Sequence, residues 1–210
     1  MEDSLSLIEF QLQESINQLL LFLFKHLLFF PQMPDMAVFS KAMGNGYPIA
    51  AIIGKSNIME SAQKTFISST YWTDRIGPTA ALATIKKHKD LNVAEHLIAI
   101  GDKVQKEWIN LGQKHGLAIE VGGMKPASHF VFLDDQVQEM KAYYVQLMME
   151  QGILASNLLY VMYAHTFEHL DLYLKAADLA FEKIANALKN NTLKSQLNGE
   201  PSSVGFKRIN

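Results

Sequence analysis

Residues 34–54 read PDMAVFSKAMGNGYPIAAIIG, and the order of apolar runs and turn residues in this stretch decides the fold. The run 36–39 is apolar throughout and suits a short buried strand. Gly44, Asn45 and Gly46, followed by Pro48, read as a turn, and a second apolar run, 49–53, ends at Gly54. The segment therefore predicts strand, turn, strand, with Lys41 standing between the first strand and the turn. A lysine that leaves a buried strand and is followed at once by small residues is expected to be partly desolvated, which favours the neutral, nucleophilic amine. The plainer role for the same residue is a strand-end side chain reaching into solvent beside a turn.

Downstream, Ser56 can cap a short helix, 65–68 has the texture of another strand, and 74–88 is a helix rich in alanine, small enough to pack closely on a sheet. Short apolar runs alternating with helices are the mark of an α/β region. A long amphipathic helix is expected over 92–115, with Val93, Leu97, Ile100, Val104, Trp108 and Leu111 at helical spacing. Strands follow at 117–121 and 129–133, with the pair Gly122 and Gly123 between them. Then come a helix over 136–151, short extended pieces at 153–155 and 159–162, and a last helix over 167–188. This second part is a small α+β unit. From Asn190 the chain turns polar and reads as a disordered tail. The organisation expected is an atypical segment over 1–33, an α/β part over 34–91, an α+β domain over 92–189 and the tail over 190–210.

Upstream, residues 19–30 read LLLFLFKHLLFF. A span needs about 20 apolar residues, and this run is shorter and is interrupted by Lys25 and His26. A signal peptide would begin basic and end on small residues, whereas here the start is acidic and the end is Phe29, Phe30, Pro31. The run is expected to be a helix packed on the following domain, and the protein cytoplasmic, without a membrane partner. Across 210 residues, 19 Lys and Arg stand against 21 Asp and Glu, a net charge of -2 that gives no electrostatic footprint for nucleic acid. The absence of cysteine excludes disulfides, thiolate metal sites and cysteine nucleophiles together. The chemistry left is that of lysine, hydroxyls, histidine, carboxylates or a borrowed cofactor.

The segment around Lys41 resembles the lysine segment of the class III pyridoxal-phosphate-dependent aminotransferases, in which Pro-Asp, a short strand, Lys, a small residue, a glycine-rich turn and Pro follow in order. Two further matches keep that order. Ser69, Thr70, Tyr71 and Trp72 are similar to the family's Gly-Thr-Phe segment, and Tyr163, Ala164, His165 and Thr166, running on to Asp171, are similar to a segment of its glutamate-1-semialdehyde aminomutase branch. The resemblance implies a fold type I large domain, present in part as residues 34–91, with a small C-terminal domain. It implies pyridoxal 5'-phosphate as cofactor, Lys41 as the residue forming the internal aldimine and Thr70 as a contact to the cofactor phosphate across a homodimer interface. Small amino and keto compounds would be the substrates.

The chain departs from the family pattern upstream of the lysine. An Asp-Glu pair there would supply the carboxylate for the cofactor's ring nitrogen, and here the corresponding region is the apolar run, while Asp35 matches the Pro-Asp before the lysine strand. Two readings follow: an aminotransferase or aminomutase working through Lys41, or a catalytically inactive truncated remnant that docks on a full-length relative. The remaining candidates read as structural. Thr70 could simply cap the helix after it. His165 is expected to bond backbone, His165 and His169 to form no metal site despite their spacing of four, His129 to be a satisfied core residue, and Asp74 with Arg75 to be a solvated pair.

Overall fold

The computed structural model describes residues 34–68, 70, 71 and 73–202. The helix expected over the apolar run 19–30 lies outside these residues, as does the end of the tail. Two compact units divide between Val93 and Ala94.

In the first unit, β1 (Met36–Phe39) and β2 (Ala51–Gly54) form an antiparallel hairpin, with Phe39 opposite Ala51 and Ala37 opposite Ile53. Alternation sends Ala37, Phe39, Ala51 and Ile53 to one face and leaves Met36, Val38 and Ile52 exposed on the other. A 3-10 turn, Lys41–Met43, follows β1. After β2 come α1 (Ser56–Met59), a 3-10 turn over Glu60–Lys64, and α2 (Ile76–Asp90). The inward face of the hairpin packs with Met43, Ala81 and Ile85, and the small Ala81 lets α2 lie close. Pro78 is tolerated in the first turn of α2, where its missing N–H costs no helical bond. Lys87, His88 and Lys89 in the last turn suit the helix dipole. Residues 65–68 form no strand. Phe66 is 95% exposed, so apolar composition there lacks both a pairing strand and a core to cover it.

The second unit contains most of α3 (Val93–His115), then β3 (Ile119–Met124), β4 (Ala127–Phe132), α4 (Val137–Glu150), β5 (Leu158–Tyr160) and α5 (Phe167–Lys189). Its three strands form one antiparallel sheet in the order β3, β4, β5. The hairpin turns at Lys125 and Pro126, so β3 runs on through Gly122 and Gly123 rather than stopping before them. Gly123 has φ +86, and a Cβ there would lie 2.9 Å from the His129 ring. These glycines make room for a cross-strand histidine. The piece expected at 153–155 pairs with nothing in the sheet, and Leu154 is 91% exposed.

The core of this unit joins Ile100, Val104 and Trp108 of α3 to Phe130 of β4, Tyr144 of α4 and Phe181 of α5. Trp108 meets Phe130 edge-on at 4.9 Å, and Phe130 meets Tyr144 in the same way at 5.2 Å. Such pairs add about 0.5–1.5 kcal/mol each beyond the area they bury. The tail expected to be disordered from Asn190 begins instead with a 3-10 turn, Leu193–Gln196, that packs on α4 and α5. Leu193 is 1% exposed there, and Gln146 accepts the Asn198 N–H at 3.0 Å. One buried leucine and two bonds of the Gln146 amide, which also donates to Gln196 O at 3.0 Å, order a stretch whose composition is otherwise polar. Among the described residues no helix is long and apolar enough to cross a membrane.

Candidate functional site

Lys41 leaves β1 with φ 51, in the left-handed region that a side chain other than glycine seldom adopts. The conformation is held on both sides. Met43 N–H donates to Ser40 O and Gly44 N–H to Lys41 O, each at 3.1 Å, and Tyr47 N–H donates to Gly44 O at 3.2 Å. Met43, two residues past the lysine, is buried against Ala81 and Ile85 of α2 and anchors the turn to that helix. Asn45 at φ 47 and Gly46 at φ 104 then reverse the chain, which is why an Asn-Gly pair stands here. A non-glycine residue kept at positive φ costs about 1–3 kcal/mol, and such positions cluster at functional sites.

The Lys41 side chain is exposed, not partly desolvated as its sequence context predicts, because the described residues pack under the turn through Met43 and Gly44 rather than over the lysine. Asp35 is engaged elsewhere, accepting from Lys55 Nζ at 2.6 Å in an exposed ion pair. Thr70 is exposed in the turn that leads to α2, where Asp74 N–H donates to Tyr71 O at 3.1 Å. Asp74 in turn accepts the Ile76 N–H at 2.8 Å and so holds the start of α2. No hydrogen bond among the described residues joins Thr70 to Lys41. Sequence reasoning passed over Met43 as a support of the lysine, although a methionine two residues along a tight turn was a usable sign.

The histidines serve the backbone. His165 Nδ1 accepts the Met162 N–H at 3.2 Å, and His96 Nε2 lies 2.8 Å from His165 O. Burial, together with the neighbouring His169 and His96, holds the His165 pKa below its ordinary value. Thr166 and His169 form a reciprocal cap at the start of α5, the Thr166 hydroxyl accepting the His169 N–H and His169 Nδ1 accepting the Thr166 N–H. No group of three potential metal ligands occurs among the described residues. An apolar groove of about 850 Å³ in the second unit is lined by residues including Ile153, Leu159, Leu170 and Tyr173, and by neither Lys41 nor Thr70.

The fold is that of pyridoxal-phosphate transaminases. The FumI protein of Sphingopyxis sp., solved in its PLP internal aldimine form, superposes with a TM-score of 0.69 at 24% identity, over 74% of this chain and 38% of that one. Acetylornithine aminotransferase of Elizabethkingia anophelis superposes with a TM-score of 0.64 at 21% identity, over 73% of this chain and 40% of that one. Residues 21–188 match the family described as aminotransferase class-III, and the chain belongs to that family. Among curated relatives, the 3-aminobutyryl-CoA aminotransferase of Cloacimonas acidaminovorans is 32% identical over 65% of this chain and 34% of its own length. The aminopentol aminotransferase of Sphingopyxis macrogoltabida is 25% identical over 72% of this chain and 36% of its own. A glutamate-1-semialdehyde 2,1-aminomutase of Clostridium perfringens is 27% identical over 70% and 39% respectively. The chain thus spans between a third and two fifths of the length of these relatives.

Against the family's cofactor, the described residues fit one side. An exposed amine on a turn that is rigid below it is open to an incoming aldehyde, and the glycine beneath it leaves no Cβ to block the fold of the turn. The nearest carboxylate in sequence, Asp35, is held by Lys55.

Proposed function

We propose that this chain carries the lysine-bearing part of a pyridoxal-phosphate-dependent amino-group transfer site. The observation that supports it most is Lys41 itself, fixed at φ 51 on a turn whose backbone bonds and buried Met43 leave only the side chain free. The cofactor, when bound, supplies an electron sink for the carbanion formed as an amino substrate loses its α proton. Lys41 would attach the cofactor covalently through Nζ and, once released by substrate, take the α proton on that nitrogen and give it back. Thr70 would donate its hydroxyl to the cofactor phosphate from the partner subunit of a homodimer. The finer reading, an aminomutase of the glutamate-1-semialdehyde type, is supported by the segment Tyr163, Ala164, His165, Thr166 and by the Clostridium relative.

The test is to add pyridoxal phosphate to the purified chain, reduce with borohydride and locate the modified residue by mass spectrometry. A cofactor fixed on Lys41, and lost in Lys41→Ala, is the expected result; label spread over surface lysines refutes the assignment. A ligand bound to the folded state alone at 100 times its Kd adds about 2.7 kcal/mol, so the melting temperature must also rise. Fixation on Lys41 without amino transfer to any keto acid would favour the second reading, a chain that acts as an interaction partner of a full-length relative.

A further inference from the structure

We propose that Ile49 is the positioning residue for Lys41, wedged between the lysine turn and the first turn of α2. A Cβ built on Gly44 would lie 2.7 Å from Ile49 Cγ2 and would overlap the Tyr47 carbonyl oxygen. One built on Gly77 would lie 3.2 Å from Ile49 Cβ, 3.7 Å from its Cδ1 and 2.9 Å from Pro48 O. Neither glycine needs its conformational freedom, since Gly44 has φ -86 and Gly77 is helical. Both are small because the 47–49 segment lies against them, through the Tyr47 carbonyl and Ile49 Cγ2 at Gly44 and through the Pro48 carbonyl and Ile49 Cβ at Gly77, so Ile49 is the one side chain that meets both. Gly44 N–H donates to Lys41 O, so whatever fixes Gly44 also fixes the lysine's carbonyl and the direction in which its side chain leaves. Lys41 sits at positive φ, which an unconstrained lysine abandons, so its orientation depends on contacts of this kind. Ile49 packs with the Met43, Ala81 and Ile85 cluster and completes a support that runs from α2 to the reactive amine. Its role is one of positioning, exerted through the turn.

The inference rests on Lys41 being the reactive amine, and its test needs no cofactor. In the full chain, Ile49→Ala removes the Cγ2 that meets Gly44 and leaves only the Cβ at Gly77, whereas Ile49→Val keeps both. Two quantities are followed: amide hydrogen exchange at Gly44 and Tyr47, and the rate of reductive methylation at Lys41. Ile49→Ala should speed exchange at both amides about tenfold through local opening and change the Lys41 rate by a factor of about three or more. Ile49→Val should return both to within about twofold of the parent. Should Ile49→Ala fail to fold, Ile49→Leu, which keeps the volume and moves the branch, must show the Lys41 change that Ile49→Val does not. Equal loss of protection across β1, β2 and α2, or a Lys41 rate the same in all variants, overturns the role. A parent chain that fixes no cofactor on Lys41 defeats the proposed function instead and leaves these two readouts to decide on Ile49.

Discussion

Replacing Tyr173 by phenylalanine should cost the second unit about 3 kcal/mol, although it removes a single oxygen. The Trp108 indole N–H donates to the Tyr173 hydroxyl at 2.9 Å, and the Tyr144 hydroxyl lies 2.9 Å from the same oxygen. Trp108 and Tyr144 are both fully buried, so neither can turn to water when that oxygen is gone. Each stranded group costs about 1–3 kcal/mol, and two are stranded together. Tyr144→Phe is the control. It deletes one of the same two bonds but leaves Trp108 paired, and it should cost about 1 kcal/mol. The gap of about 2 kcal/mol is roughly a thirtyfold difference in the unfolding constant. Urea unfolding followed by fluorescence measures it, in a Trp72→Phe background where Trp108 is the remaining one of the chain's 2 tryptophans. Equal costs for the two variants, within about 0.5 kcal/mol, would falsify the view that the shared hydroxyl is what satisfies the indole.

The same tyrosines make the protein sensitive to alkali. Burial raises the Tyr173 pKa to about 12 and pushes Tyr144 well above its ordinary value, while an unfolded tyrosine titrates near 10. Stability from Tyr173 is therefore complete below about pH 10 and is lost as the pH rises through about 12, at up to about 1.4 kcal/mol per pH unit; a urea-unfolding free energy that stays flat between about pH 10 and pH 12 would count against it. Gly101→Ala poses helix propensity against contact: alanine is the better helix former by about 1 kcal/mol, but its Cβ would fall within van der Waals overlap of the Lys125 carbonyl. Thermal unfolding should show a net loss of about 1–3 kcal/mol, and a gain would mean that the 124–127 turn yields freely.

Much of the second unit is legible in the sequence because its helices are long and strongly patterned. The helix expected over 92–115 is Val93–His115, and that over 167–188 is Phe167–Lys189. Strand limits read less well, since Gly122 and Gly123 look like a turn until His129 is seen folded over them. The runs 65–68 and 153–155 are apolar without strand partners, and a strand is a property of a pair. At the candidate site, Lys41 and its glycine turn stand out locally, being contiguous. Gly77 and Ile49, 28 residues apart in the chain, do not, because only packing brings them to the same place.

The cap at the start of α5 fixes more than a helix end. With Nδ1 of both His165 and His169 accepting a backbone N–H, each neutral ring must carry its proton on Nε2. The tautomer is thus decided by the main chain, and the nitrogen left to the outside is a donor. To coordinate a cation through Nε2, either ring would have to move its proton to Nδ1 and give up the backbone bond. Spacing alone offers a chelating pair on one helical face, and the loop disarms it by choosing which nitrogen keeps its lone pair.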